Sequence, residues 1–435
     1  MKILLIGNGF DLEHNLPTSY NDFLLFCLKV MPIFSSDKDF SIQKYKQDYL
    51  ENWNIDESVK QTLITAFNSR YVDKESITDL EYDTGIRTSN KELNELYSHI
   101  KFNIWLRYFQ EYSHRFGRNW IDFESEISRV IKALDLAKKY LSTHENILGS
   151  NLKDEPILIE ILKAAATTLQ TVFRNAETVE NFASFLNTEL DKLIRALEIY
   201  ISYFINKIEV SRLSSDIEAL EPDCVLSFNY SNTYERIYGV EKNIQYAYIH
   251  GKAEISKNAT SCNIVLGIDE YLTGESKNTE LEFLTFKKYY QRIYKSTDNL
   301  YLDWVDEIKD GYTDYRREIE AAYARNNIPE RQRPRTISIG NRIYTEGPPM
   351  RCPQHTLYIF GHSLDVTDQD VLKMFICNNN VQTKIFYYRE NADDKKSLGK
   401  IIKNLIGVMG QEELIRRTGG AHKTIEFIPQ ALHEY

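Results

Sequence analysis

The sequence predicts an α/β protein with an open, mostly parallel sheet and a large helical insertion. Residues 3–6 are four consecutive apolar residues that run into Gly7-Asn8-Gly9. A buried parallel strand has this pattern where it turns over the edge of its sheet. Similar apolar runs recur in the C-terminal half, whereas the middle of the chain shows the 3.6-residue period of helices.

The predicted strands are short, and several are apolar at consecutive positions, as strands covered on both faces are. After residues 2–6 they are 224–228, 245–249, 263–266, 356–360, 383–388 and 424–428.

Amphipathic helices dominate the region between the first strand and the second. One predicted apolar face consists of Phe123, Ile127, Val130, Ile131 and Leu134. A second consists of Phe182, Phe185, Leu186, Leu190, Leu193 and Leu197. We therefore predict a sheet domain made of residues 1–89 and 216–435, with residues 90–215 as a helical insertion subdomain.

Composition narrows the classes of function. The 435 residues carry a formal net charge of −10, which disfavours nucleic acid as a partner of the whole chain. The five cysteines are scattered without a C-x-x-C pair, so we expect reduced thiols and no zinc site. Neither a signal peptide nor a membrane span is predicted, which indicates a cytoplasmic protein. The 29 tyrosines and 21 phenylalanines suit a homo-oligomer interface.

Residues 311–353 form a basic segment rich in arginine and proline. The simpler interpretation is a solvated surface arm or loop, since charge runs are usually exposed. The alternative is an arm that binds nucleic acid, which would make the protein a nucleic-acid-directed toxin.

Polar residues follow almost every predicted strand. Because ligands of open α/β sheets bind at the carboxyl ends of the strands, we expect these residues to converge on one site. Glycines after the first strand let backbone N–H groups approach a phosphate. The candidates are Gly7, Asn8, Gly9, Phe10, Asp11, Thr18 and Ser19; Ser227 and Asn229; His250; and Gly361, Ser363 and Asp368.

Each candidate also has a purely structural interpretation. Leu12 occupies the third glycine position of a dinucleotide fingerprint, so an ordinary dehydrogenase is disfavoured. Asp11 and Asp368 fit helix caps, Asn229 a turn, and His250 a buried structural histidine.

The order of the motifs resembles the AbiH family of phage abortive-infection proteins. The matching strings are I-G-N-G-F-D-L-x-H-x-L-P-T-S-Y, N-W-I-D-F-E (119–124), S-F-N-Y-S-N-T-Y-E, Y-I-H-G, V-L-G-I-D and F-G-H-S-L-D-x-x-D. That family looks like a divergent branch of the sirtuin-like NAD-binding superfamily, which implies a Rossmann-like sheet.

The sirtuin resemblance also implies roles for single residues. Asn229 and His250 match the catalytic asparagine and histidine, and the glycine loop with Gly361-His362-Ser363 matches the cofactor contacts. Asp11 stands where that superfamily has a serine, and Ser231 stands where it has an aspartate. The roles of Asp122 and Glu124 stay open between a helix cap and a pocket wall.

The implied activity is hydrolysis of NAD at the bond between nicotinamide and ribose, with NAD as substrate and no metal. Zinc-dependent protein deacylation is disfavoured, because this chain lacks the paired cysteines of that module. A phage-derived trigger or a partner defence protein is expected. The alternatives are a module that binds NAD or ADP-ribose as a signal, the nucleic-acid toxin, and a structural component whose site has decayed.

Overall fold

The computed structural model of the chain describes most of its residues. These are 1–37, 39–73, 85–116, 122–147, 150–268, 281–325, 354–389, 396–420 and 423–431.

Six strands among the described residues form one sheet, and every neighbouring pair is parallel. In chain order they are β1 (Lys2–Ile6), β2 (Cys224–Ser227), β3 (Gln245–Tyr248), β4 (His355–Phe360), β5 (Val381–Tyr387) and β6 (Ile425–Pro429). The order across the sheet is β3-β2-β1-β4-β5-β6. This confirms the predicted fold class. The order reverses between β1 and β4, where open α/β sheets form a ligand crevice.

Residues 263–266 are not a strand, which corrects the prediction made from their apolar pattern. The N–H of Val265 donates to the carbonyl of His250 at 2.8 Å. The Gln291 side chain brackets Leu266, accepting its N–H at 3.0 Å and donating to its carbonyl at 3.1 Å. The backbone N–H and carbonyl of Leu266 are therefore hydrogen-bonded without a neighbouring strand.

Helices make up most of the remaining described residues. They are α1 (Asn8–Glu13), α2 (Tyr20–Val30), α3 (Ile42–Tyr45), α4 (Glu57–Asn68), α5 (Lys91–Ile100), α6 (Ile104–Phe116), α7 (Phe123–Leu141), α8 (Pro156–Ala164), α9 (Leu169–Val172), α10 (Ala176–Ile199), α11 (Ser215–Glu218), α12 (Thr233–Ile237), α13 (Leu281–Leu284), α14 (Lys288–Tyr294), α15 (Leu300–Arg325), α16 (Gln369–Ile376), α17 (Lys396–Met409) and α18 (Gln411–Thr418). Tyr71–Val72 and Ile86–Arg87 form a small antiparallel pair.

The two predicted helix faces largely pack as expected. The five residues predicted on α7 are fully buried. On α10 the predicted face is buried except for Phe185, which is 45% exposed. Phe185 therefore lies at the edge of the apolar stripe rather than within it.

The sheet and the helical layer have separate apolar cores. Both faces of the sheet are covered, one by α15 and α16 and the other by α1 and α12. The core of the helical layer includes residues on both sides of the predicted insertion, from Leu16 to Phe67 and from Ala253 to Phe286. The domain boundaries at 89/90 and 215/216 stay a prediction.

The basic segment 311–353 is not a loop throughout, which corrects the simpler interpretation for its first part. Residues 311–325 form the C-terminal end of α15, and residues 326–353 lie outside the described residues. None of the described helices combines the length and apolar character that crossing a bilayer requires.

Candidate functional site

The loop after β1 packs directly against the loop after β4. The N–H of Gly7 donates to the Phe360 carbonyl at 3.2 Å, and the N–H of Gly9 donates to the Gly361 carbonyl at 2.8 Å. A Cβ at Gly7 or Gly9 would lie 2.8 Å from the Gly361 backbone. These glycines thus allow two protein loops to meet. Their amides are already hydrogen-bonded, which corrects the expectation that both donate to a phosphate.

Other residues of the first loop are held by local structure. Thr18 Oγ1 donates to Asn8 Oδ1 at 2.7 Å. Ser19 caps α2 in a reciprocal pair with Asp22. Phe10 is fully buried in the apolar core, so its side chain supports the loop and presents no surface to a ligand, contrary to expectation.

Asp11 is buried and faces the loop after β2. Ser231 Oγ donates to Asp11 Oδ2 at 2.6 Å, and Thr233 Oγ1 donates to Ser231 Oγ at 3.0 Å. Burial raises the pKa of Asp11 to about 6, although hydrogen bonds from Ser231 and Thr233 and the charge of Arg236 oppose the rise.

Asn229 joins the loop after β2 to the loop after β1. Its Nδ2 donates to the Gly7 carbonyl at 3.0 Å, and its backbone N–H donates to Ser227 Oγ at 3.1 Å. Both side chains are buried. The predicted pairing of these two loops at one edge of the sheet is therefore observed.

His250 follows β3 and contacts Asp368, which lies after β4. His250 Nε2 is 3.3 Å from Asp368 Oδ1, and its buried Nδ1 has no hydrogen-bond partner among the described residues. Burial, with the nearby charge of Lys288, lowers the pKa of His250 to about 4. The imidazole is therefore neutral at pH 7, and it is a weaker base than its unperturbed value suggested.

Asp368 is the centre of a buried polar cluster. Lys288 Nζ lies 3.0 Å from its Oδ1, and His362 Nε2 lies 3.5 Å from its Oδ2. The N–H of Leu364 donates to His362 Nδ1 at 2.9 Å, so in neutral His362 the proton is on Nε2. Burial alone would raise the pKa of Asp368, but Lys288 and the two imidazoles hold it well below its usual range.

Glu124 completes this cluster from the helical layer. Its Oε2 is 2.8 Å from Lys288 Nζ. Burial raises the pKa of Glu124 to about 7. The positive charge of Lys288 opposes this rise, and the negative charge of Asp368 adds to it. The neighbouring Asp122 caps α7 by accepting the N–H of Glu124 at 3.1 Å, so the two acidic residues of this motif have different roles.

We call the set of Glu124, His250, Lys288, His362 and Asp368 the buried cluster. Sequence reasoning missed Lys288, because the string around it has no recognisable motif. His362 lies within the F-G-H-S-L-D string, which assigns it no separate role. Among the described residues, no group of three or more His, Cys, Asp or Glu is arranged to hold a metal ion. That the chemistry needs no metal stays a prediction.

A pocket of about 520 Å³ lies beside the buried cluster at the carboxyl ends of β4, β5 and β6. Gly9, Gly361 and Ser363 line it, whereas Asn229 and His250 are not among its described lining residues. His362 borders both, since it lines the pocket and directs Nε2 to Asp368. The remaining lining residues are Leu12, Glu13, Phe386, Tyr387, Tyr388, Ser397, Lys400, Ile401, Asn404 and Gln430.

The strand order and the position of the pocket are those of a doubly wound α/β protein. Doubly wound α/β proteins with this order bind ligands outside the carboxyl ends of the strands, where the order reverses. Residues 3–388 match the family described as bacteriophage abortive infection AbiH, and the chain therefore belongs to that family. Membership implies a role in anti-phage abortive infection. No curated protein and no solved structure is found to match the chain. Asp269 and residues 119–121 of the family strings lie outside the described residues.

Proposed function

We propose that this AbiH protein hydrolyses NAD to ADP-ribose and nicotinamide during abortive infection. One observation carries the proposal. Asn229, His250 and the loop with Gly361 and Ser363 come from three different strands and meet at the carboxyl edge of the sheet, beside a 520 Å³ pocket. A dinucleotide needs an arrangement of this kind, with space for one half and polar groups at the bond that breaks.

The chemistry asks for positioning more than for a strong base. The bond between the anomeric carbon and the pyridinium nitrogen breaks, and its electron pair returns to the ring, which leaves neutral. Water then adds to the oxocarbenium-like ribose and loses a proton. A weak acceptor suffices for water attacking a cation, so the bare Nδ1 of His250 suits this step despite its lowered pKa of about 4. Asn229 would orient the ribose or the water through its amide.

An exchange of residues supports the sirtuin resemblance. Asp11 stands where that superfamily has a serine, and Ser231 stands where it has an aspartate. The two side chains contact each other at 2.6 Å. The two positions at which this chain differs from the superfamily motifs are therefore joined by a direct hydrogen bond.

The test is release of nicotinamide from NAD by the purified chain. We expect Asn229→Ala and His250→Ala to reduce the rate by about 10²-fold or more. His144→Ala removes an exposed histidine in the segment after α7 and serves as the matched control, with unchanged activity. Folded Asn229→Ala and His250→Ala proteins that keep full activity would refute the proposed roles.

A second candidate function is binding of NAD or ADP-ribose without hydrolysis. It is favoured by the burial of Asn229 and His250, which are 4% and 5% exposed. In this case NAD incubated with the protein is recovered intact and bound, and Ser363→Trp, which fills the pocket, abolishes binding. Recovery of free nicotinamide instead decides for hydrolysis.

A further inference from the structure

Lys288 occupies a position that is unusual for a lysine. It is the first residue of α14, the helix end whose partial charge is positive, and its side chain is only 6% exposed. Two carboxylates from other elements, Glu124 and Asp368, contact its Nζ at 2.8 and 3.0 Å. A buried cation is tolerated only with such partners, so the three groups are one unit.

Counting charges shows where the exchangeable proton resides. Lys288 is one positive charge between two carboxylates, Glu124 and Asp368. It can neutralise the negative charge of only one of them. Asp368 also faces the Nε2 atoms of His250 and His362, whereas the other titratable groups near Glu124 are Asp122, Tyr20 and Tyr230. Arg292, a further cation near His250, pairs with Asp370. Asp368 is therefore the carboxylate that stays ionised, and Glu124 is the one that takes up a proton.

An ionised Asp368 fixes the state of His250. Its Oδ1 lies 3.3 Å from Nε2, so the ring carries its proton there and Nδ1 keeps its lone pair. That atom is buried and without a hydrogen-bond partner among the described residues, which is costly unless something else uses it.

We propose that Lys288 is a positioning residue: it keeps Asp368 ionised and aligned, so that His250 presents a bare Nδ1 to the substrate. The role toward substrate rests on the proposed function. The sheet supplies the histidine and the aspartate, and the helical layer supplies the lysine and Glu124, the carboxylate that exchanges a proton. The site is therefore complete only when α7 and α14 pack against the carboxyl edge of the sheet.

The state of His250 is measured without any substrate by nitrogen NMR of the full chain labelled with ¹⁵N-histidine, with His250→Gln for assignment. In the wild type we expect a neutral ring with its proton on Nε2 from pH 5 to 8. In Lys288→Met the unpaired Asp368 carboxylate draws a proton to His250, so the ring becomes cationic below about its unperturbed pKa of 6.5. Glu124→Gln keeps the lysine–aspartate pair and the wild-type tautomer.

Lys295→Met is the matched control, since it removes one cation from the end of the same helix, where Lys295 binds the Ile264 carbonyl. It leaves the His250 signals unchanged. If Lys288→Met does not fold, the nearly isosteric Asp368→Asn replaces it and is expected to mix the two tautomers. Wild-type His250 with its proton on Nδ1, or unchanged signals in a folded Lys288→Met protein, overturns the assignment.

Activity gives a second readout. In Lys288→Met we expect kcat for nicotinamide release to fall about tenfold or more with KM within threefold. If the wild type releases no nicotinamide, the proposed function fails, while the NMR result still decides the role of Lys288 toward His250.

Discussion

Asp11 shows how the surroundings of one side chain set its ionisation. The residue is 1% exposed, and its Oδ1 has no hydrogen-bond partner among the described residues. Oδ2 accepts from Ser231. Because desolvation outweighs these contacts, the pKa is raised from 3.8 to about 6. The folded protein therefore holds this proton more tightly than the unfolded chain does.

This difference predicts a pH dependence of stability. The stabilising contribution is complete below about pH 4, the unfolded pKa, and is lost as pH rises through about 6, the folded pKa. A shift of about two units corresponds to roughly 3 kcal/mol. Asp11→Asn should flatten the free energy of unfolding between pH 4 and 6 in urea titrations. Asp303→Asn, an exposed change on α15, should keep the wild-type slope, and an equally steep slope in Asp11→Asn would disprove the explanation.

His250 and Glu124 show the same physics in opposite directions. Burial disfavours the charged form of each, so it lowers the pKa of the histidine to about 4 and raises that of the glutamate to about 7. At neutral pH the histidine is uncharged and Glu124 exchanges a proton. Neither value follows from the residue type, because both depend on which charges the fold places nearby.

The turns after β1 and β4 are the elements that shape the site. Gly361 has φ = +67°, and a Cβ there would overlap the amide nitrogen of Phe10. Gly9 approaches the same turn without a positive φ. The two turns therefore fit together only with glycine at these positions, and Gly9, Gly361 and the adjacent His362 line the pocket.

A series of glycine-to-alanine variants separates the free-energy cost of atomic overlap from that of a left-handed backbone. Gly361→Ala combines overlap with a left-handed backbone and should lower the free energy of unfolding by about 3 kcal/mol or more. Gly410→Ala has only the positive φ of +85° and should cost about 1 kcal/mol. Gly399→Ala, in the open on α17, should stabilise by up to about 1 kcal/mol. Urea unfolding measures all three, and equal effects for Gly361→Ala and Gly410→Ala would contradict the close-packing argument.

On the scale of the whole molecule, the sheet and the helical layer meet at the buried cluster. Each layer has its own apolar core, and Lys288, which is paired with Glu124, contacts Asp368 across the boundary. A change in the packing of the helical layer that moves Lys288 would therefore alter Asp368 and, through it, His250. This offers a route by which a phage-derived trigger or self-association would control the site, and both stay predictions.

The net charge of −10 bears on the nucleic-acid alternative. An acidic molecule repels phosphate unless a basic surface prevails locally. We expect no binding of single- or double-stranded DNA or RNA in mobility-shift assays at about 150 mM salt. The control is a chain without residues 326–353, which should behave identically. Tight, steeply salt-dependent binding that is lost with this deletion would establish the toxin alternative instead.

The fold class and the sheet edge at which the polar residues gather follow from the amino-acid pattern alone. Apolar runs such as residues 3–6 are specified locally, because a strand buried on both faces must be apolar throughout. Parallel strands also bring their carboxyl ends together whatever their order. Asn229 and His250 were therefore correctly placed at the same edge. Residues 263–266 are the exception, because groups distant in sequence, including the Gln291 side chain and the His250 carbonyl, bond their backbone in place of a neighbouring strand.

Which of those residues touch, and what charge they carry, depends on how the elements pack. Lys288 has no sequence signal, yet it joins Glu124 and Asp368 from three separate elements. The amides of Gly7 and Gly9 were expected to bind phosphate, but they bind the loop after β4. The physical reason is the same in both cases. Desolvation and pairing depend on neighbours brought together by packing, and a pattern along the chain does not contain that information.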